Sequence, residues 1–395
     1  MDPVVLQGAM RSTDIAAFKK PVYMDDNILF KDTSAYRFVA LLERLRGSKG
    51  VSNRTYEFMQ MGLQPNVMTV LTAAAAGATT IAVDHPEYAH RDNRLVSSST
   101  FETFMMNEDI GGRTAEGKIT VMGKGGSGGI AAAIAADTKI LVLPEAHAEG
   151  EAVPDGYSIK PEHLFTKIQQ SDMSTGKYTD IAGLVAEYGE KQLSINRAQK
   201  WIEWKMKKEL ALLLGAESDE TTSASGAQRV SMKGLYDWPI KKITVPQGVL
   251  DMAVFNEIMC QITEIGASGR PIAFLGNNAW NQVQNFPANS IQRTQSEKVF
   301  GWTIDMLRTG YGDLPIERCK VLNSKNGLAG CMFIVDIDKL QLLHLEGNGM
   351  SLRDRIYMDV TEARDIHNVE DVISGSFGLK VEHAEDCHAW VSGIK

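Results

Sequence analysis

Cysteine is scarce. The chain has four in 395 residues, Cys260, Cys319, Cys331 and Cys387, scattered and without a CxxC pair. That pattern excludes a disulfide framework and reads as reduced, structural thiols of a protein made and kept in a reducing cytoplasm. No run of about 18 apolar residues occurs, so no membrane-spanning helix is expected. The opening stretch, MDPVVLQGAMRSTD, has no basic start followed by an apolar run, and no signal peptide is visible. Positive charge is also short: 41 Lys and Arg stand against 49 Asp and Glu, a net charge of −8. A general nucleic-acid binder needs a basic face, so that class is excluded, though a local basic patch is not. Neither GxxxxGK[ST] nor HExxH is present, and no internal repeat is evident.

What is present is ordinary for a folded chain: 44% hydrophobic and 23% charged residues, with a length that predicts two or three packed units. Residues 1–35 are weakly patterned and read as an extended arm. AYRFVALLERLRG (35–47) places Phe38, Leu41, Leu42 and Leu45 at helical spacing, and RTYEFMQMGL (54–63) alternates like a strand. Between 67 and 150, short runs such as NVMTVLTA, TTIAVD, ITVM and KILVLP, separated by Gly, Asp and Asn, predict a small all-β insertion.

The strongest single element is predicted over 180–217. Leu184, Tyr188, Ile195, Ala198, Ile202, Met206, Leu210 and Leu213 form one apolar stripe, with Glu187, Glu190, Lys191, Arg197, Lys200, Lys205 and Lys208 mostly off it. Asp180 is placed to cap the start and Gly215 to end it, giving a rod roughly 50 Å long. ESDETTSASGAQRVS (217–231) reads as an exposed loop. LDMAVFNEIMCQITEIG reads as a second amphipathic helix, with Phe255, Ile258, Met259, Ile262 and Ile265 on one face. PIAFLG (271–276) is a buried strand and NNAWNQVQNF a helix. CMFIVD and LQLLHL are strands, and the tail ISGSFGLKVEHAEDCHAWVSGI turns like a terminal β-hairpin.

Three constellations bear on chemistry. VMGKGGSGGIAAAIAADTKILVLPEA (121–146) contains Gly123-x-Gly125-x-x-Gly128, the spacing of a dinucleotide turn, with Glu145 near the distance of a ribose-binding acid. It also contains Gly125-x-Ser127-x-Gly129, the spacing of a nucleophile elbow. Both need a long helix or a parallel sheet. IAAAIAA offers only about two turns before Asp137, and Thr120 inside the preceding strand suits an antiparallel hairpin, so a flexible turn is favoured. His383, Asp386, Cys387 and His388 are metal-ligand types, but a structural zinc site wants two spaced pairs, and Cys319 and Cys331 are too far apart to supply the second. Lys200, Lys205, Lys207 and Lys208 lie near Trp201 and Trp204, a pairing that can bind nucleic acid. A solvated helix face or a subunit contact is the preferred reading. The pairs Asp25/Asp26 and Glu362/Asp365 have no selective spacing. No catalytic, cofactor-binding or metal residue is assigned, and the chain reads as a building block rather than an enzyme.

The order of these pieces resembles the major capsid proteins of tailed bacteriophages. HLFTKIQQSDMSTGKYTDIAGLVAEYGEKQLSINRAQKWIEWKMKKELALLLG is similar to the entry and body of their spine helix. AVFNEIMCQITEIGASGRPIAFLGNNAWNQV is similar to the axial domain, and CMFIVDIDKLQLLHLEG with DVISGSFGLKVEHAEDCHAWVSGI to the closing β segments. ITVMGKGGSGGIAAAIAADTKILVLPEAHAEGEAVP matches the texture of a β-rich insertion carried by a subgroup.

The resemblance implies an α+β, HK97-like capsid fold with an inserted small all-β domain. It divides the chain into an N-terminal arm (1–45), an extended loop with its first strand (46–66), the β-rich insertion (67–152) and the return strand (153–179). The spine helix and peripheral domain (180–250), the axial domain (251–350) and a closing β segment (351–395) follow. It further implies self-assembly into pentamers and hexamers of an icosahedral virion shell, built in the host cytoplasm around double-stranded DNA without sequence-specific contacts, cofactor or membrane. A separate scaffolding protein, a portal and a decoration protein are the expected partners. The alternatives are an encapsulin-like compartment and, from another class, a nucleotide-dependent enzyme using Gly123–Gly128. Some relatives form a lysine–asparagine cross-link, but no such pair is identified here.

Overall fold

The computed structural model describes residues 36–62, 66–107, 117–124, 128–145, 161–179, 192–221, 228–263, 271–286, 291–292, 298–299, 302–303, 305–358 and 368–395. The predicted arm (1–35), Asp180 and the first turns of the predicted rod, Ser127, and Ile265 lie outside them. The chain forms two compact units: Met1–Phe58 with Leu164–Lys395, and Met59–His163. Thr55–Gln60 pairs with Glu162–Lys167, where the chain passes from one unit to the other and back.

In the first unit a seven-stranded sheet runs in the order Lys241–Thr244, His388–Ser392, Met332–Asp336, Pro271–Leu275, Gly312–Arg318, Asp305–Thr309 and Ile291–Gln292. Its central strands read as continuous apolar runs because both faces are covered. Ala273, Leu275, Met332, Ile334, Ala389 and Val391 face helices α3 (Met252–Thr263) and α4 (Asn277–Gln284), meeting Phe255, Ile258, Met259, Ile262, Ala279 and Val283. One residue along, Ile272, Phe274, Phe333, Val335 and Trp390 point to the other face. There they meet Phe38, Leu41 and Leu42 of helix α1 (Arg37–Leu45) and Leu212 and Leu213 of helix α2 (Gln192–Leu214). Aromatic rings bridge neighbouring strands: Phe274 stacks on Phe333 at 4.9 Å, Phe333 on Trp390 at 5.9 Å, and Phe38 stands edge-on to Phe274 and Phe333 at 5.3 and 5.2 Å. A second sheet runs Ser48–Val51, Leu340–Gly347, Asn368–Val381 and Gln169–Thr179.

The second unit is all-β. Its strands follow the order Val67–Thr69, Lys139–Glu145, Asn93–Ser97, Thr103–Met106, Lys118–Met122 and Thr80–Ala82, every pair antiparallel. The bridge Val70↔Val83 joins the two ends and closes a six-stranded barrel. Met68, Ile81, Leu95, Phe104, Ile119, Val121 and Ile140 fill it. The stretches 71–78 and 131–138 run the same course within it. They bridge each other at Ala74 and Ile134, and each turns three residues later through a left-handed residue, Gly77 at φ 83° and Asp137 at φ 61°. This local repeat escapes the sequence reading because little besides alanine is shared.

Three expectations change, and one open alternative closes. The rod's described part is 23 residues, about 34 Å, ended as predicted at Gly215, whose N–H donates to Ala211. Its buried face is turned roughly a quarter turn from the predicted stripe. Ile195 and Leu213 of that stripe are buried, but so are Trp204, Lys205, Lys208, Glu209 and Leu212, whereas Ile202, Met206 and Leu210 are half-buried and Ala198 is exposed. Second, the 217–231 loop contains a hairpin, Ser218–Thr221 with Gln228–Ser231, because Thr, Ser and Val suit paired strands as well as loops. Third, IAAAIAA forms no helix: Ile130 and Ile134 are drawn into the barrel core, and their amides pair with Ala78 and Ala74. Fourth, the tail is not a hairpin. Asn368–Val381 and His388–Ser392 join different sheets, separated by the one-turn helix α5 (Ala384–Cys387).

Candidate functional site

Lys118–Met122 is an antiparallel barrel strand with Ile119 and Val121 inward and Thr120 half-exposed. Gly128 and Gly129 after it serve backbone geometry. Gly128 is left-handed at φ 74°, and a Cβ on Gly129 would overlap the carbonyls of Gly77 and Ala78. The amides that follow do bind an anion, but it is the protein's own: Glu102 accepts from Ala131 N–H through one oxygen and from Ala132 N–H at 2.8 Å through the other. No helix N-terminus follows to aim at a pyrophosphate, and Glu145 ends its strand exposed.

The predicted metal-ligand types do not converge. His383 precedes α5 in a left-handed conformation, Asp386 is half-buried and Cys387 is buried. His388 is buried in the seven-stranded sheet, where its Nδ1 accepts from the Asp336 amide at 3.3 Å. Burial pushes the His388 imidazole down to about 4, against a backbone hydrogen bond at Glu382. Among the described residues, no group of three or more His, Cys, Asp or Glu is placed to hold a metal ion. The four cysteines are free thiols. Burial raises those of Cys319, Cys331 and Cys387, which disfavours the nucleophilic thiolate.

The basic face of α2 is where the polar chemistry concentrates, and it points inward. Trp201 and Trp204 stack at 5.9 Å. Lys205 lies 5.4 Å from the Trp201 ring, and Lys208 lies 5.7 Å from that of Trp204. Both ammonium groups donate to the same oxygen of Asp354 at 2.7 Å, and to Glu43 of α1 at 2.8 and 3.1 Å. The lysine side chains are 7% and 6% exposed and that of Asp354 is 11% exposed. Burial would raise the Asp354 carboxyl, but the two lysines outweigh it and hold it low. Burial would lower Lys205, and its two carboxylates raise it instead. Two positive and two negative charges thus pin α1, α2 and the 354 segment together. Lys200 pairs with the part-exposed Glu203 at 2.7 Å, its own side chain 39% exposed, and Lys207 is turned to solvent.

One turn along α2, Glu209 is fully buried. Its Oε2 accepts the Val39 N–H at 3.1 Å and its Oε1 accepts the Cys319 thiol at 3.4 Å. It caps α1 from another element, since the N-cap residue Tyr36 supplies no side-chain bond. Burial pushes its carboxyl up to about 7, against hydrogen bonds from Val39, Cys319 and Phe38.

Glu43, Glu209 and Asp354 are the residues sequence reading misses. The signal was available in part: positions 201, 204, 205, 208, 209 and 212 share one helix face, and the charges among them were read as its solvent side. A cleft of about 260 Å³ lined by Arg37, Trp280, Asp305, Glu317, Arg318 and Lys320 adds no catalytic set. Arg37 pairs with Glu317, and Arg318 grips Asn277 Oδ1 at 2.9 and 3.1 Å. The arrangement as a whole fastens elements to one another.

Comparison with known proteins agrees with that mechanical character. No curated protein matches the sequence. Among solved structures, the chain is similar to one titled Mycobacterium phage Adephagia, at 10% identity, 98% of each chain and a TM-score of 0.49. It is similar to Microbacterium phage Oxtober96 at 9% identity, 96% of this chain and 98% of the other, with a TM-score of 0.49. The SrpI encapsulin complex of Synechococcus elongatus matches at 11% identity over 61% of this chain and 78% of the other, with a TM-score of 0.40. The decisive match is of sequence to a family model: residues 16–395 fit the SU10 major capsid protein, and the chain belongs to that family.

Proposed function

We propose that the protein assembles as pentamers and hexamers into the icosahedral shell of a tailed bacteriophage and encloses double-stranded DNA. The match of residues 16–395 to a major capsid family carries this reading. The shell needs many repeated interfaces, each individually modest. A subunit whose buried polar groups fasten its own elements, as Lys205, Lys208 and Glu209 do, suits that task better than catalysis. In this reading residues 1–45 are the arm, 46–66 and 153–179 the two strands of an extended loop, and 67–152 the insertion. Residues 180–250 are the spine helix and peripheral domain, 251–350 the axial domain, and 351–395 the closing β segment of the peripheral and axial domains. With a net charge of −8, counterions rather than the shell neutralise the genome. A separate scaffolding protein, a portal and a decoration protein complete the particle, which is assembled in the host cytoplasm.

Sizing and electron microscopy of the purified full-length chain test the proposal. Closed particles, or capsomers at five or six times the 43.4 kDa chain mass, are expected. A dimer that binds a dinucleotide with micromolar affinity overturns it in favour of an enzyme using Gly123–Gly128.

A further inference from the structure

Helix α1 is seated on α2 by polar groups at both ends: Glu43 on Lys205 and Lys208, and the Val39 amide on Glu209. The two ends differ in one respect. The first is charge-balanced, because Glu43 and Asp354 face two lysines. The second has no ion-pair partner among the described residues. The cations on the adjoining elements are committed elsewhere, Arg37 to Glu317 and Lys205 and Lys208 to Glu43 and Asp354. The other titratable group against Glu209 is the Cys319 thiol, at 3.4 Å. A fully buried carboxyl with hydrogen bonds but no cation keeps its proton, since ionising it away from water is costly.

We propose that Glu209 is a proton-operated latch for α1: the acid is neutral under the seated helix and ionises when α1 lifts and water reaches it, so α1 holds most firmly in acid and loosens toward neutral pH. The sign separates this from the ion-paired Asp354, whose two lysines hold its carboxyl low, so that it stabilises the seated state above its own titration and releases it as pH falls. Only an acid that is protonated when buried and ionised when exposed loosens the contact as pH rises.

Amide hydrogen exchange of residues 38–45 in the full-length chain, corrected for intrinsic rates between pH 4.5 and 7, tests this. The opening constant of α1 is expected to rise about 80-fold across that window in the wild type, following a carboxyl raised from 4.5 to about 7. In Glu209→Gln it is expected to stay flat. Wild-type opening that is flat or falls with rising pH overturns the proposal, as does a rise retained in Glu209→Gln. If that variant does not fold, the direction of the wild-type change decides alone.

Discussion

Asp354 is the residue whose removal tests the buried charge cluster most directly. Two ammonium groups share its Oδ2 at 2.7 Å, and both lysines are almost wholly buried. Asp354→Asn keeps the volume and an acceptor oxygen but removes one of two negative charges. Glu43, one-third exposed, is then the only anionic partner of two buried cations among the described residues. Leaving a buried charge unpaired costs about 3–5 kcal/mol, and because Glu43 compensates in part we expect about 3 kcal/mol. Lys208→Met in the same background should restore most of the loss, since Lys205 and Glu43 then balance. The coupling between the two sites should be about 2 kcal/mol. Urea unfolding followed by tryptophan fluorescence is the assay, because Trp201 and Trp204 lie under the ammonium groups. The lysines hold the Asp354 carboxyl low, so the wild-type advantage is complete above the ordinary carboxylate range and is lost as pH falls below it to the lowered Asp354 titration. A cost below about 1 kcal/mol, or additive single substitutions, would refute the reasoning and make the cluster a solvated surface network.

Two further expectations concern other parts of the chain. His388 is neutral when buried and titrates at about 4, against 6.5 when free. The stability it contributes is complete above pH 6.5 and falls by about 3 kcal/mol toward pH 4, because only the unfolded chain gains the proton in that window. His388→Gln should abolish this difference in paired urea titrations at pH 7 and 4.5, and an unchanged acid limb would count against it. Gly129→Ala places a methyl against the carbonyls of Gly77 and Ala78, backbone on backbone, and should destabilise the barrel unit by about 2 kcal/mol or more. Limited proteolysis within 66–145 reads the loss, and wild-type resistance in the variant would contradict the close approach.

The sequence by itself determined what local patterning determines. Residues 37–45 are a helix because Phe38, Leu41 and Leu42 recur at its period. Pro271–Leu275 and Met332–Asp336 are strands of unbroken apolar character because they lie in a sheet covered on both sides. The barrel strands alternate because one face is core. The texture of the glycine-rich stretch already pointed away from a nucleotide site, and the order of elements to a capsid protein.

Tertiary structure decided which face each element presents and what its charges do. Periodicity set the helical character of α2 but not its rotation. Lysines at 205 and 208 look solvent-facing until Glu43, 162 residues before Lys205, and Asp354, 149 residues after it, arrive to neutralise them. Glu209 looks like a surface acid until α1 brings its unpaired amides to it. The tail looks like a hairpin until its two strands find different sheets. In each case the deciding partner is distant in sequence. The free energy of burying a charge depends on that partner, and no window of neighbouring residues contains it.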